Sequence, residues 1–378
     1  MKKSWSKTRL LLIGGSLTHI CFLMKLSRRE MERLKIILVT PFYSLNYLEM
    51  AAGYFEGIFP EENVQIDIST ICERKGVHLI TAQPVKIDAE NNWVELEDGR
   101  KVTYDILSLN LEPFGRYVEG LSHYGMAILY DDNLQKIKQY FQKRSIESNI
   151  TIVGAGKLGV EVALGLRFLA DTNNHNLNIT LIEGAQTLLP GYDIKVKKLV
   201  QERLRERRID LLLGRSVIRV TGDFLVFNDN SVLEYGFLIW TARATHYPLL
   251  DGSGLMMDER GRVIVKPTLQ AEGHKMIFAC GESTLIQHPI QLFSPTNPPH
   301  EAEILLRNIM KTIKDAPLLK YVPDQAQKGN IYLGKKRAIT QNNDSVSKGF
   351  WGWYVRKSHD QKLMKKLQNN QNYAKKSK

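Results

Sequence analysis

Six residues in the middle of the chain have the types and the spacing to hold a pyrophosphate. Gly154-Ala155-Gly156-Lys157-Leu158-Gly159 is a complete G-x-G-x-x-G, and it directly follows the apolar run Ile150-Thr151-Ile152-Val153. Gly154 permits a tight turn out of a strand, Gly156 puts no side chain in the way of a phosphate, and Gly159 lets the next helix lie close to that strand. The positive end of that helix would receive the phosphates. Glu183 ends the next apolar run, Asn178 to Ile182. Its carboxylate could accept hydrogen bonds from an adenosine ribose, which favours NADH over NADPH. A lone motif of this kind also suits an ordinary strand-to-helix turn; here strand, helix and terminal acid all fall into place. Glu161, in the first helical turn, either faces the nicotinamide or is an acid favourably placed at a helix N-terminus, and both readings stay open.

A second turn lies near the N-terminus. Leu10 to Ile13 is followed by Gly14-Gly15-Ser16-Leu17-Thr18-His19, in which Ser16 and His19 stand where the second and third glycines would be. Serine is small enough to be tolerated near a pyrophosphate. His19 would push the helix away from the sheet or mark a variant turn, and Thr40, not an acid, ends the following strand. The basic start Met1 to Arg9 and the apolar stretch Leu10 to Met24 resemble a leader, but the stretch is too short to span a bilayer and is broken by the glycines. A strand, a tight turn and a helix (Thr18 to Arg33) account for it better.

These turns need elements to position them. Two strand-turn-helix-strand units, with their first glycines at 14 and 154, imply an α/β fold of two doubly wound Rossmann-like domains. A hairpin is expected over Trp93 to Tyr104 about Asp98-Gly99, another over Ile331 to Thr340, and a polar linker over Gln341 to Gly349. The chain has 378 residues, enough for two or three domains, with 43% hydrophobic and 24% charged residues, which excludes disordered and multi-span membrane classes. Cys21, Cys72 and Cys280 are odd in number and widely spaced, against a disulfide scaffold, a C-x-x-C motif or a zinc site, and a reducing, intracellular setting fits. The net charge is +12, but no nucleic-acid module accompanies it, and Arg203 to Arg208 reads as a solvated helix face.

Three further segments carry a resemblance. Tyr47-Leu48-Glu49-Met50-Ala51-Ala52-Gly53-Tyr54, Tyr104-Asp105-Ile106-Leu107-Ser108-Leu109-Asn110 and Ile277-Phe278-Ala279-Cys280-Gly281-Glu282, with the two turns, resemble the two-dinucleotide-fold flavoprotein oxidoreductases, the FAD/NAD(P)-dependent pyridine nucleotide-disulfide family. Within that family the chain is similar to type II NADH dehydrogenases, and closer still to the oxidoreductases fused to selenide, water dikinase, whose first turn reads G-G-G-H-A-H. The resemblance implies FAD held by Gly14, Gly15, Ser16, His19, Gly281 and Glu282, and NADH held by Gly154, Gly156, Gly159 and Glu183. It implies hydride transfer from NADH to flavin and electrons passed to a quinone-like acceptor. Two alternatives stand beside it: a nucleotide-binding protein on the same fold without turnover, and an NADH-dependent reductase with a soluble acceptor.

The resemblance also implies an inserted second domain: flavin domain 1–112 and 263–327, NADH domain 113–262, and a C-terminal segment 328–378, with crossings near 110–115 and 250–265. Departures lie on the flavin and quinone side. Glu282 stands for the usual aspartate, Thr241-Ala242-Arg243-Ala244 for a glycine-containing turn, and Asn297-Pro298-Pro299-His300-Glu301 for a glutamine-containing stretch that contacts quinone. His300, with His19 and Glu301, is a candidate for proton delivery to a reduced quinone, against the plainer reading of polar rim residues. Tyr43, Tyr47 and Tyr54 could line a flat ring pocket or simply pack. No cysteine has a close partner, so disulfide reduction is disfavoured, and Cys280 reads as a small buried strand residue.

From Ser345 onwards the chain carries nine lysines and arginines against Asp360, most of the net charge in under a tenth of the length. Phe350, Trp351, Trp353 and Tyr354 stand at its start, where aromatic rings suit a lipid headgroup region, and Leu363, Met364 and Leu367 share an apolar side interrupted by Arg356 and Lys357. The expected partners are therefore NADH, a quinone-like acceptor and an anionic membrane surface, with a homodimer left open and a cytoplasmic location on the inner face of the cell membrane. The alternative is a basic tail whose aromatics pack on the protein's own core.

Glu183→Arg is expected to shift coenzyme preference from NADH toward NADPH. The ratio of the two apparent affinities checks it; an unchanged ratio would show that Glu183 does not read the ribose.

Overall fold

The apolar runs become the central strands of two parallel sheets. The computed structural model describes residues 7–111, 118–129, 132–142, 148–242, 247–287, 297–322, 330–342 and 345–372. β1 (Thr8–Ile13) is fully buried from Leu10 to Ile13, as a parallel strand covered on both faces must be. After α1 (Leu17–Lys25) comes β2 (Leu34–Thr40), parallel to β1 with Leu10 opposite Ile36. The helix expected to run to Arg33 stops at Lys25, and a separate turn of helix, Arg28–Met31, starts at Ser27, whose N–H and hydroxyl bind the Glu30 carboxylate. α2 (Ala51–Phe55), α3 (Ile68–Lys75), β3 (His78–Thr81) and β4 (Ile106–Leu109) follow. Between β3 and β4 an antiparallel meander (Pro84–Asp88, Trp93–Leu96, Lys101–Thr103) stands off the sheet and contains the expected hairpin, its turn closed by Gly99 at φ +80.

The chain then builds a second sheet from β5 (Met126–Ala127), β6 (Ser148–Val153), β7 (Leu177–Glu183), β8 (Ile209–Leu213) and β9 (Phe237–Trp240), in the order β5-β9-β6-β7-β8. α4 (Lys157–Thr172) joins β6 to β7. The carbonyl of Ser253 already accepts the N–H of Ala89, so the chain is back against the meander there. β10 (Ile277–Ala279) then pairs with β4, which gives the first sheet the order β10-β4-β1-β2-β3. A strand from after the second unit thus completes the sheet that began before it, and the second doubly wound unit is an insertion in the first. α5 (Pro298–Thr312) lies along α1.

The C-terminal region corrects one expectation. Gln341 to Gly349, read as a linker, is mostly strand: β11 (Ile331–Tyr332), β12 (Ala338–Asn342) and β13 (Ser345–Gly349) form a three-stranded antiparallel sheet, with Thr340 opposite Ser347. Its polar composition hid it, because β13 is largely exposed and is defined by backbone pairing with the mostly buried β12 and not by an apolar stripe of its own. α6 (Phe350–Asn372) follows directly.

The two units meet at a backbone contact. A Cβ on Gly165 of α4 would come within 2.9 Å of the Ala52 Cα and 3.0 Å of its carbonyl oxygen on α2. Tyr332, Ala338 and Trp353 pack around Ala52 in the same place, so the C-terminal region covers the seam. Gly165→Leu is therefore expected to destabilise the protein by about 1–3 kcal/mol, through forced separation of the two helices. Thermal unfolding tests it, and a transition as sharp and as high as that of the wild type would show that this contact is dispensable.

Candidate functional site

The second-unit turn is open where a phosphate must enter. Gly154 has φ +107, and its N–H donates to the Ile182 carbonyl at 2.8 Å, which locks the end of β6 to β7. Among the described residues nothing beyond its own chain neighbours lies within 4 Å of the position a Gly156 Cβ would take, whereas a Cβ on Gly159 would stand 1.8 Å from the Gly154 carbonyl oxygen. The second glycine needs free space and the third needs no side chain at all, as a dinucleotide turn demands. The Thr241 hydroxyl, at the end of β9, sits 2.9 Å from the Val153 and 3.0 Å from the Gly154 carbonyl oxygens and braces the turn from the other side. Glu183 is held at the mouth: one carboxylate oxygen accepts the Ala155 N–H (2.8 Å) and the other the Ala185 N–H (3.1 Å). Each oxygen keeps lone-pair capacity for a ribose hydroxyl. The backbone of Arg215 borders Glu183, but its guanidinium reaches to Ser231 and over the Phe227 ring.

The first turn solves the same problem with a histidine. Gly14 has φ +96 and donates its N–H to the Val39 carbonyl, and Gly15 is pressed against Thr40 and Ile68. His19 is completely buried. Its Nδ1 lies 2.7 Å from the Gly14 carbonyl oxygen and its Nε2 2.9 Å from the Ser108 hydroxyl. A carbonyl only accepts, so Nδ1 carries the proton, Nε2 accepts from Ser108, and the ring is neutral. Burial pushes its pKa down to about 4, with the Gly14 carbonyl acting against that shift. The imidazole thus ties α1 to β1 and β4 where a glycine would have allowed direct contact. The helix is held by a bridge and is not pushed away.

At the carboxyl ends of β1, β4 and β10 stand Gly14, Asn110 and Gly281, the edge of a parallel sheet where ligands bind. Gly281 has φ +76 and could carry no Cβ, which would meet the Asn110 Oδ1 at 2.4 Å. The Asn110 Nδ2 is buried and has no hydrogen-bond partner among the described residues. A buried amide left without an acceptor is expensive, and a phosphate or polyol oxygen would satisfy it, so these residues fit FAD. Glu301, at the start of α5, is a brace: its oxygens accept the Thr18 hydroxyl (2.8 Å) and the Gly281 N–H (2.9 Å). Burial holds its pKa above the usual carboxylate value against those two donors, and Glu282 nearby adds to the rise. Pro298 and Pro299 bring no N–H, and those of His300 and Glu301 turn back to Asn297, so the first turn of α5 offers a ligand no backbone donor.

The remaining candidates separate. His300 is exposed, its ring 5.2 Å from that of Tyr321, and the stretch 288–296 before it lies outside the described residues. Arg243 and Ala244 of the turn after β9 also lie outside them. Tyr43 is exposed, Tyr54 lies under the Lys138 ammonium, and Tyr47 is buried with its hydroxyl on Asp360. All three cysteines are free and buried, with burial pushing Cys21 and Cys72 up to about 12 and Cys280 well above its ordinary value, so they are inert thiols. Glu161 is buried and faces the C-terminal region, where it accepts the Tyr332 N–H (2.9 Å) and both terminal nitrogens of Arg356 (2.5 and 2.8 Å). Arg356 is the residue that sequence reasoning missed as part of the site. Its signal was a cation on the helix side that carries Trp353, Met364 and Leu367, where only a buried acid could balance it.

Residues 14–313 match the profile of the pyridine nucleotide-disulphide oxidoreductases. The chain is 23% identical over 337 residues to an NADH dehydrogenase-like protein, YutJ, of Bacillus subtilis, covering 87% of this chain and 90% of that one. It is 25% identical over 267 residues to a type II NADH:quinone oxidoreductase of Staphylococcus haemolyticus, with 64% of each chain covered. Among solved structures it is similar to NDH2 from Plasmodium falciparum in complex with NADH, at a TM-score of 0.74 and 14% identity, over 97% of this chain and 96% of the other.

The His19 ring gives the molecule an acid limit. The unfolded chain takes up a proton near the ordinary value of 6.5, while the folded ring stays neutral to about 4. Stability is therefore full above the unfolded value and falls as pH drops through that window, by about 2 kcal/mol between pH 7 and pH 5. Urea midpoints at the two pH values, compared with those of His19→Asn, check this; equal pH dependence in both proteins would assign the effect elsewhere.

Proposed function

The chain belongs to the pyridine nucleotide-disulphide oxidoreductase family, and from that membership we propose that it is an FAD-dependent NADH oxidoreductase that passes electrons to a quinone-like acceptor. The observation that carries the donor half is Glu183, pinned by two backbone N–H groups beside the open face of Gly156. The N-terminus of α4 binds the pyrophosphate, and Glu183 takes the ribose hydroxyls and repels a 2′-phosphate. The first turn, with Gly14, Gly15, Ser16 and the neutral His19, would hold FAD, and an oxygen of that group would satisfy the Asn110 amide. Bound FAD supplies the two-electron chemistry, and the inert thiols leave that chemistry to the cofactor. Glu282, half-buried beside Glu301, would be available to its ribityl hydroxyls.

The acceptor half rests on two supports. One is the similarity to a type II NADH:quinone oxidoreductase. The other is the outer side of α6, where Trp351 is 75% and Val355 61% exposed beside Phe350 and Tyr354, with Lys362, Lys365 and Lys366 exposed further along. Rings followed by cations suit an anionic headgroup layer, where each basic residue adds about 1 kcal/mol. Met364 and Leu367, offered by the sequence as a lipid-facing side, are buried against the body, and Trp353 and Arg356 point inward with them. The attachment surface is therefore the opposite side of the helix. No described helix is long and apolar enough to cross a membrane. A soluble acceptor is the second reading, favoured by Pro298-Pro299 in place of the glutamine-containing stretch.

Purified protein should be yellow, bleach with NADH, and recover its colour faster with a quinone in anionic vesicles than with a soluble dye; recovery with the dye alone would select the soluble acceptor. Trp351→Ser combined with Tyr354→Ser should lower co-sedimentation with those vesicles while leaving NADH bleaching intact. Undiminished sedimentation would remove the membrane from the proposal.

A further inference from the structure

A single guanidinium joins four parts of the molecule. Arg356 Nη1 donates to Glu161 Oε1 (2.5 Å) and to the Asn330 carbonyl (3.0 Å). Nη2 donates to Glu161 Oε2 (2.8 Å), to the Glu49 carbonyl (2.6 Å) and to the Glu49 carboxylate (3.0 Å). Nε lies 3.5 Å from Asp360, one turn further along the same helix. Glu161 belongs to the first turns of α4, in the NADH unit, and Glu49 to the segment leading into α2, in the flavin unit. Two links extend the junction. Glu49 also accepts from Lys157, a residue of the dinucleotide turn itself, at 2.5 Å, and Asp360 accepts the Tyr47 hydroxyl at 2.9 Å.

We propose that Arg356 is a positioning residue for the reaction, a clasp from the C-terminal helix that sets the separation between the NADH turn and the flavin-side segment. The proposal rests on the functional reading above. Its physical basis is the charge that would remain without it. Glu49 and Glu161 reach the same point from two units, and with the cation gone two carboxylates face one another across the seam with Lys157, and more weakly His359, as counter-charge. Glu161 is buried and the Glu49 side chain is 43% exposed, so the repulsion is partly screened on one side, but it acts across the seam and would widen it. The planar fork matters as well as the charge, since it meets Glu161 with two parallel bonds and still has donors for Glu49 and Asn330. A clasp that served only to tie down the tail would not need this geometry, because Trp353, Met364 and Leu367 already bury that helix. Burial disfavours the guanidinium charge, but Glu161 and Glu49 outweigh it and hold its pKa well above the ordinary value. Lys157 and Arg356 together overcome burial to bring Glu49 down to about 2. Arg356 and Glu49 therefore keep their charges across the working pH range.

The test uses the full chain with Arg356→Met, Arg356→Lys and the pair Arg356→Met with Glu161→Gln. Flavin content and the NADH dissociation constant are measured beside the bleaching rate at saturating NADH, and amide hydrogen exchange is followed in 48–55 and 157–165. Arg356→Met should keep its flavin and bind NADH within about three-fold, while the saturating rate falls roughly 10- to 100-fold, as a misplacement of about 1 Å would produce. Exchange should rise on both sides of the seam. Removing the second charge with Glu161→Gln should slow exchange again, and Arg356→Lys should be intermediate in both readouts. An unchanged saturating rate with unchanged exchange in Arg356→Met overturns the proposal, as does full wild-type behaviour of Arg356→Lys, which would make the fork unnecessary. If wild-type protein is not bleached by NADH, the functional reading falls, and the exchange pattern across the seam alone decides for or against the clasp.

Discussion

The distance between two helix beginnings governs this protein. Each nucleotide site is a strand that turns into a helix, and the two sites can cooperate only if their open ends look into one cleft. The two units are pressed together by a backbone contact, Gly165 within α4 against Ala52 of α2, which leaves little tolerance for a side chain between them. The insertion of one unit in the other serves the same constraint. β10 returns to lie beside β4, so that Gly281 and Asn110 complete the site begun at Gly14. A second unit appended after the first would leave the first sheet without that strand.

The two turns show one steric demand met in two ways. In the NADH turn the helix is allowed close by the absence of a side chain at Gly159, and Thr241 binds the carbonyl that the approach exposes. In the flavin turn the corresponding carbonyl, that of Gly14, is taken by the His19 ring, which also reaches Ser108 on β4. The ring fills the space between helix and sheet and so must be neutral. The first solution is indifferent to pH and the second is not. Glu301 and Thr18 add a further brace from α5 to the same helix. The flavin half is thus held by buried polar groups, and the NADH half by close packing.

The C-terminal helix has two unlike sides. Trp353, Arg356, Asp360, Met364 and Leu367 are buried against the body, and Phe350, Trp351, Tyr354 and Val355 are exposed. Fewer than two turns of helix therefore carry both an exposed aromatic pair and the guanidinium that reaches the NADH helix. Any force on the outer side acts through a rigid backbone on the inner one. This gives a physical route from the proposed lipid surface to the seam between the units.

The sequence by itself determined what depends on local geometry. The two strands flanking each turn, the turns at Gly14 and Gly154 and the position of Glu183 were legible, because apolar runs and glycine spacing act over a few residues at a time, whereas the insertion of one unit in the other was implied by the family resemblance. What only the tertiary structure decided were pairings between distant residues. The linker at Gln341 to Gly349 proved to be strand, since its partners and not its own pattern define it. His19 was ambiguous until Ser108 was brought beside it, and Asn110 had no meaning until Gly281 stood next to it. Arg356 read as a defect in an amphipathic tail, yet it meets Glu161, 195 positions earlier. A buried charge is tolerated only where an opposite charge awaits it, and no local pattern records which residue, far off in the chain, will supply that charge.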